Sequence, residues 1–311
     1  MPAFARVQHS KVTALSRRNL AEAKESAAKY GIPFAFDSTA ALCANPEVDA
    51  VFVTTPDAFH LRDVLTAVQH RKPVLCEKPM AMNAAEAREM LEAADAAGIL
   101  LGVAHVFRFE NSVLRVRELL AQGTLGRLLF ARSEFCYSGL NHARQWLRDP
   151  KIACGGPIGD VGVHGIDALR FILQDEVKSV FTSATYGDPA SPLETSATMN
   201  LTFCQRTLGT INVSILSPYR TPFEVVGERG SVHAENFFSV ENPVELVIET
   251  DGSTRRETHS NYQGYARQFD AFALSVERGV PFPAPGQEGL RNQLVLDAAF
   301  RSMRSTKAEQ I

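Results

Sequence analysis

Between Lys11 and Val103, short apolar runs alternate with segments of helical period, and this alternation leaves few folds open to the chain. Strands separated by helix-length crossovers run parallel, and a parallel sheet is covered by helices on both faces. Residues 11–16 read as a strand and 19–30 as a helix closed by Gly31. Residues 50–53 and 73–76 read as further buried strands, with a helix through Gln69 between them. A helix over 83–97 and a strand over 99–103 complete the series. This is the pattern of a doubly wound, dinucleotide-binding half.

Such a half is expected to open with a strand and a Gly-rich turn that seats a pyrophosphate on a helix N-terminus. The chain has no GxGxxG, and residues 1–8 read as the tail of the helix that would follow it. The strand that would precede it is central in the 3-2-1-4-5-6 order, so its loss leaves a gap between neighbours rather than a trimmed edge. The expectation is that the natural protein carries about 15 to 25 further residues before Met1, the length of a strand, a turn and part of a helix.

After Val106 the pattern changes. Residues 111–121 form an amphipathic helix, 128–137 a strand, and 138–153 a loop holding His, Arg and Trp. Strands of period two follow over 177–186, 195–203, 207–216, 222–226, 231–234 and 244–249, joined by short turns, which predicts a largely antiparallel open sheet. Helices over 262–278 and 287–305 close the chain. The predicted organisation is α/β: residues 1–106 as the dinucleotide half without its first strand, and 107–311 as an α+β domain whose last helix can pack back on the first.

The stretch Cys154-Gly155-Gly156-Pro157-Ile158-Gly159-Asp160-Val161-Gly162-Val163-His164-Gly165-Ile166-Asp167 concentrates polar groups in an apolar setting. A helix starting near Gly159 places Asp160, His164 and Asp167 at i, i+4 and i+7 on one face, with Ile166, Leu169, Ile172 and Leu173 on the other. The glycines allow close approach of a ligand and weaken the helix. An N-capping Asp160 with a satisfied core histidine is the competing reading. Asp167 reads equally as a substrate contact, a partner for the imidazole, or a cap. A metal site is not expected, because a lysine facing these groups repels a cation.

Composition excludes several classes. The net charge of −3 and the absence of any basic run argue against nucleic-acid binding. The five scattered cysteines lack CxxC spacing, so a disulfide framework or structural zinc is not indicated. No apolar run reaches membrane-spanning length and no signal-peptide layout opens the chain, so a cytoplasmic enzyme is expected.

Cys76-Glu77-Lys78-Pro79 after a strand, followed about 80 residues later by the Gly155–His164 motif, resembles the Gfo/Idh/MocA family of nicotinamide-dependent oxidoreductases. Thr54-Thr55-Pro56-Asp57-Ala58-Phe59-His60 and Asp297-Ala298-Ala299-Phe300-Arg301-Ser302 extend the resemblance over nearly the whole chain. It implies a Rossmann domain, a sheet-rich second domain, dimers or tetramers, and hydride transfer at a sugar-like alcohol or carbonyl carbon. The missing Gly-rich turn is the departure.

The resemblance makes Lys78, Asp160 and His164 the catalytic set. Hydride transfer requires a proton to leave or reach the substrate oxygen. His164 is suited to carry it, and Lys78 to stabilise alkoxide charge or act as the acid. The expected substrate-binding set is Lys78, Arg108, Tyr137, Trp146, Asp160 and His164. The loop of Trp146 also holds Asn141, His142 and Arg148, which suits a sugar ring, although such a tryptophan is as often only packing. The expected cofactor set is Ser16, Arg17, Arg18, Thr54, Thr55, Pro56, His60, Glu77, Lys78 and Pro79. Ser16-Arg17-Arg18 offers a hydroxyl and guanidinium groups to a 2'-phosphate where NAD sites place an acid, so NADP(H) is favoured over NAD(H), the alternative being a solvated helix start. The rival to an enzyme is a catalytically silent relative that senses a nucleotide or sugar and contacts a partner.

Overall fold

The computed structural model describes residues 2–140 and 143–311. It divides into two compact units: residues up to Ala104 with Tyr265–Leu290, and His105–Gly264 with Arg291–Ile311. The chain thus leaves the first unit at Ala104 and returns to it for a helix, which a single division at residue 106 does not describe.

In the first unit, Pro2–Arg6 is a 3-10 turn, not the expected α-helical tail. Strand β1 (Ala14–Ser16) leads into α1 (Leu20–Tyr30). The Asn19 side chain accepts the Ala21 and Glu22 amides at its start, and Gly31 ends it at φ 65°, a left-handed position that glycine adopts without cost. Then come β2 (Phe34–Phe36), α2 (Thr39–Ala44), β3 (Val51–Val53), α3 (His60–Gln69), β4 (Val74–Cys76), α4 (Ala84–Ala97) and β5 (Leu101–Val103). The strand pairings here are parallel and form two sheets, β1–β2 and β3–β4–β5, beside an isolated antiparallel bridge between Gly102 and Pro285. Among the described residues no ladder joins β1 to β3. Val51, Val53, Val74, Cys76 and Val103 pack with Val64, Ala67 and Met90 of the helices into one core. That fully covered core is why β4 and β5 read as continuous apolar runs.

The second unit contains α5 (Asn111–Ala121), β6 (Leu128–Ser138) and α6 (Val163–Leu173). These precede β7 (Val177–Thr185), β8 (Ser196–Phe203), β9 (Leu208–Ser214), β10 (Leu216–Arg220), β11 (Phe223–Gly227), β12 (Gly230–Ala234), β13 (Val244–Thr250) and β14 (Ser253–His259). Helix α7 (Gly264–Arg278) lies almost wholly in the first unit. Helix α8 (Gly286–Ser305) runs from the first unit into the second, where β15 (Glu309–Gln310) ends the chain. The sheet order is β14-β13-β12-β11-β6-β9-β8-β7-β15, with β10 on β6. Its pairings are antiparallel except β6 with β9, where Ala131 lies opposite Gly209 and Ser133 opposite Ile211.

Alternation along these strands points Ala131, Val180, Met199, Leu201, Ile211 and Val213 to a core shared with Ile166, Leu169 and Ile172 of α6. Strands β2, β10, β14 and β15 have no counterpart in the sequence pattern. Strand β14 (Ser-Thr-Arg-Arg-Glu-Thr-His) has no apolar alternation, because it is a largely solvated edge held by its ladder to β13 and by Arg115 of α5, which bonds Glu257 at 2.8 Å. Strand β10 follows β9 after one residue and, past Leu216, fills the interval between the strands expected over 207–216 and 222–226. No helix among the described residues is long and apolar enough to cross a membrane.

Candidate active site

The Gly155–His164 motif begins as a π-helical turn, Ile158–Gly162, before α6 takes over at Val163. A π turn inserts a residue into helical register, so the i, i+4, i+7 stripe expected of a plain α-helix is broken between Asp160 and His164. The turn is held from outside by Glu194, in the loop before β8. Its buried carboxylate accepts the Ile158 amide at 3.0 Å and also the Gly156 amide. Burial raises the Glu194 pKa, against the pull of those amides. A side chain at Gly156 would place its Cβ 2.1 Å from the Glu194 carbonyl oxygen, so the second glycine of the motif is fixed by sterics. Farther along, a Cβ on Gly162 would meet Met199 at 3.0 Å and one on Gly165 would meet Ile211 at 3.0 Å. These two glycines let the helix lie close on the sheet rather than admit a ligand.

The three polar residues of the motif have separate surroundings. Asp160, 6% exposed, accepts the Tyr137 hydroxyl at 2.6 Å and is approached by both terminal nitrogens of Arg144 at 3.3 Å. Burial and the Asp160 charge push the Tyr137 pKa well above the ordinary range. The His164 ring meets Phe107 edge-on at 4.8 Å and lies over Phe135 at 5.9 Å. Asp167 faces neither. Its oxygens accept Nε and Nη2 of Arg108 at 2.6 to 3.1 Å and the Asn292 amide at 2.8 Å, with His105 at 3.8 Å. Burial opposes its charge, but Arg108, His105 and Asn292 outweigh that and hold its carboxyl below the usual range. Arg108, expected among the substrate-binding residues, is only 5% exposed and engaged in a buried ion pair with Asp167.

Trp146 is half-buried in a 3-10 turn, Gln145–Arg148. Arg148 is fixed to Asp188, with Nε donating to Oδ2 at 2.6 Å. Asn141 and His142 lie outside the described residues.

In the first unit the predicted cofactor residues sit at the C-terminal ends of β1, β3 and β4, where an open parallel sheet binds ligands. Ser16 ends β1. Arg17 and Arg18 follow it, both exposed, and Arg17 reaches Glu22 at 3.2 Å and the Ser26 hydroxyl at 3.0 Å. Thr54, Thr55 and Pro56 follow β3, with Thr54 exposed and the Thr55 hydroxyl donating to Asp63 at 2.9 Å. Glu77, Lys78 and Pro79 follow β4; the Glu77 amide bonds the Val53 carbonyl at 2.9 Å, and the Lys78–Pro79 peptide is cis. His60 departs from expectation. It is fully buried, and its ring nitrogens lie 3.0 Å from the Pro79 carbonyl oxygen and 2.7 Å from that of Thr55, so it does not present itself to a ligand.

Comparison with known proteins decides the family. Residues 1–105 match the oxidoreductase family with an NAD-binding Rossmann fold, and residues 113–233 match the GFO/IDH/MocA C-terminal domain. A 1,5-anhydro-D-fructose reductase of Ensifer adhaerens is 31% identical over 288 residues, covering 92% of this chain and 86% of that protein. The chain belongs to the GFO/IDH/MocA family. As a GFO/IDH/MocA oxidoreductase it is also 28% identical, over its whole length and 95% of the relative, to a D-xylose 1-dehydrogenase (NADP(+)) of Haloferax volcanii. Its fold matches an aldose-aldose oxidoreductase of Caulobacter crescentus, solved with glycerol, at a TM-score of 0.93 and 23% identity, covering 100% and 95% of the two chains. A levoglucosan dehydrogenase solved with NADH and levoglucosan matches at 0.88 and 19% identity, covering 96% and 90%.

The residues fit one part of a nicotinamide nucleotide better than another. Exposed groups, Arg17, Arg18 and Thr54, follow β1 and β3, while Glu77 and Lys78 after β4 are half-buried. No glycine-rich turn occurs in the sequence for the pyrophosphate. Sequence reasoning missed Arg144 and Glu194. Arg144 sits in a loop without periodicity. Glu194 is some 30 residues from the helix it holds, and only the fold brings them together.

Proposed function

We propose that this oxidoreductase moves a hydride between NADP(H) and a hydroxyl or carbonyl carbon of a sugar or cyclic polyol. The observation that carries the reading is the pair formed by Asp160, held by Tyr137 and Arg144, and His164, packed on phenylalanine rings. A fixed acceptor and an oriented imidazole are what a polyhydroxylated substrate needs. Relatives named for 1,5-anhydro-D-fructose and D-xylose support the substrate class. The nicotinamide supplies or accepts the hydride. Asp160 accepts a substrate hydroxyl and fixes the ring, and His164 holds or takes the proton at the reacting oxygen; the family resemblance assigns Lys78 the stabilisation of negative charge. Trp146 offers an apolar face to the sugar.

Arg17 and Arg18 favour NADP(H): both are exposed at the end of β1, which ends in Ser16 and carries no acid there. The exposed outer face of the large sheet, with Phe130 beside Leu208 and with Phe181 and Tyr219, supports a homodimer or homotetramer. The five cysteines are thiols rather than halves of disulfides, four of them buried, and support a cytoplasmic location. The second reading is a catalytically silent relative that senses a nucleotide or sugar.

The test is NADPH fluorescence titration followed by turnover on a panel of aldoses and polyols. Turnover with a lower KM for NADP than for NAD is expected. Binding without turnover on any sugar would select the sensor, and a preference for NAD would overturn the cofactor assignment.

A further inference from the structure

The two carbonyl oxygens that flank His60 can only accept hydrogen bonds, yet each lies within bonding distance of a different ring nitrogen, Thr55 O at 2.7 Å from Nε2 and Pro79 O at 3.0 Å from Nδ1. A neutral imidazole has one N–H and one lone pair, so either tautomer of this fully buried ring would press a lone pair against a carbonyl oxygen. Only the doubly protonated ring satisfies both contacts.

We infer that His60 is carried as a buried imidazolium that donates to both carbonyls and so clamps the loop after β3 to the loop after β4 that presents Lys78. His60 is then a positioning residue, acting through the main chain and not on the substrate. Its value to catalysis rests on the function proposed above; the clamp itself does not.

A charge in this position needs compensation. The carboxylate facing the ring, and so the counter-charge, is Asp57 from the 3-10 turn before α3; the other titratable neighbour is Cys76 from β4. Asp63, one turn along α3, is engaged by the hydroxyls of Thr39 and Thr55 and by Arg62. Cys76 also points its thiol to the Met80 carbonyl at 3.8 Å, on the Lys78 loop. Burial pulls the His60 pKa down, but Cys76, Asp57 and the Thr55 carbonyl outweigh it and raise it from 6.5 to about 10. A histidine whose pKa is raised by folding stabilises the folded state fully below its unfolded value. That contribution therefore stands below pH 6.5, declines above it, and is gone once the pH passes about 10.

The decisive measurement is an imidazole nitrogen–proton correlation spectrum of the full chain, with the His60 ring assigned through its contacts to Thr55 and Pro79. The expected result at pH 7.5 is a ring protonated on both nitrogens, with slow exchange, that loses a proton only near pH 10. A bare ring nitrogen at pH 7.5 overturns the proposal, and no variant is needed to see it. The second measurement is amide exchange in His60→Gln, where residues 54–57 and 77–82 are expected to exchange about tenfold faster while α5 is unchanged. Unaltered exchange in a folded variant refutes the clamp. Both readouts are independent of turnover, so failure of the clamp and failure of the proposed function are told apart.

Discussion

Asp160 and Asp167 stand seven residues apart in one helical segment, and their surroundings set them to different work. Asp160 lies in the π turn, where its partners are a tyrosine hydroxyl and an arginine side chain that is 43% exposed. Asp167 lies two turns on, against an arginine that is 4% exposed and an asparagine that is 1% exposed. The first carboxylate has partners that a substrate can compete with. The second has partners that cannot leave without stranding a charge. Sequence spacing made them equivalent, and burial of their partners separates them.

The contrast breaks most visibly at Asp167. Asp167→Ala leaves Arg108 buried without its carboxylate and should cost about 3–5 kcal/mol, read by urea denaturation. Replacing both partners with leucine should recover most of the loss. If Asp167→Ala abolished turnover while leaving the denaturation midpoint in place, Asp167 would belong with Asp160 as a site residue.

The next effect is on rate. His164→Asn and Asp160→Asn should each lower turnover about 10²-fold or more, with a stability change of only about 1 kcal/mol. An unchanged rate in His164→Asn would leave Lys78 as the acid and His164 as a positioning group.

Glu194→Ala should follow, at about 1–3 kcal/mol, because it strands the buried amides of the Gly156–Ile158 turn. Glu194→Gln, which keeps an acceptor, should cost less. Equal losses for the two variants would show that the amides gain nothing from the side-chain oxygen. The smallest effect is expected for Tyr137→Phe, about 0.5–1.5 kcal/mol from a single hydrogen bond, with KM for the sugar rising more than kcat falls. A fall confined to kcat would move Tyr137 from substrate placement to proton transfer.

Much of the fold was legible because its signals are local. The bounds of α1 follow from Asn19 and Gly31, the parallel strands from runs too apolar for a half-exposed sheet, and the larger sheet from period-two alternation. Elements without such signals were lost: β14 is polar on both faces, and β2 with α2 spans only Phe34–Ala44. The return of Tyr265–Leu290 to the first unit is a long-range packing choice that no neighbouring residue announces.

For the site, sequence alone determined which residue types the motifs hold: a lysine after β4, and an aspartate and a histidine in a glycine-rich helix start. Those identities, in that order, are enough to mark an oxidoreductase family. Tertiary structure decided what each group faces. It put a π turn where α-helical spacing implied a single stripe, and turned Arg108 and Asp167 into a strut. It brought Glu194 to the turn and set His60 between two carbonyl oxygens. Apart from Thr55, five residues from His60, these partners come from residues tens to more than a hundred positions away, and protonation and pairing depend on burial and on what lies within about 3 Å, a distance that only the folded chain defines.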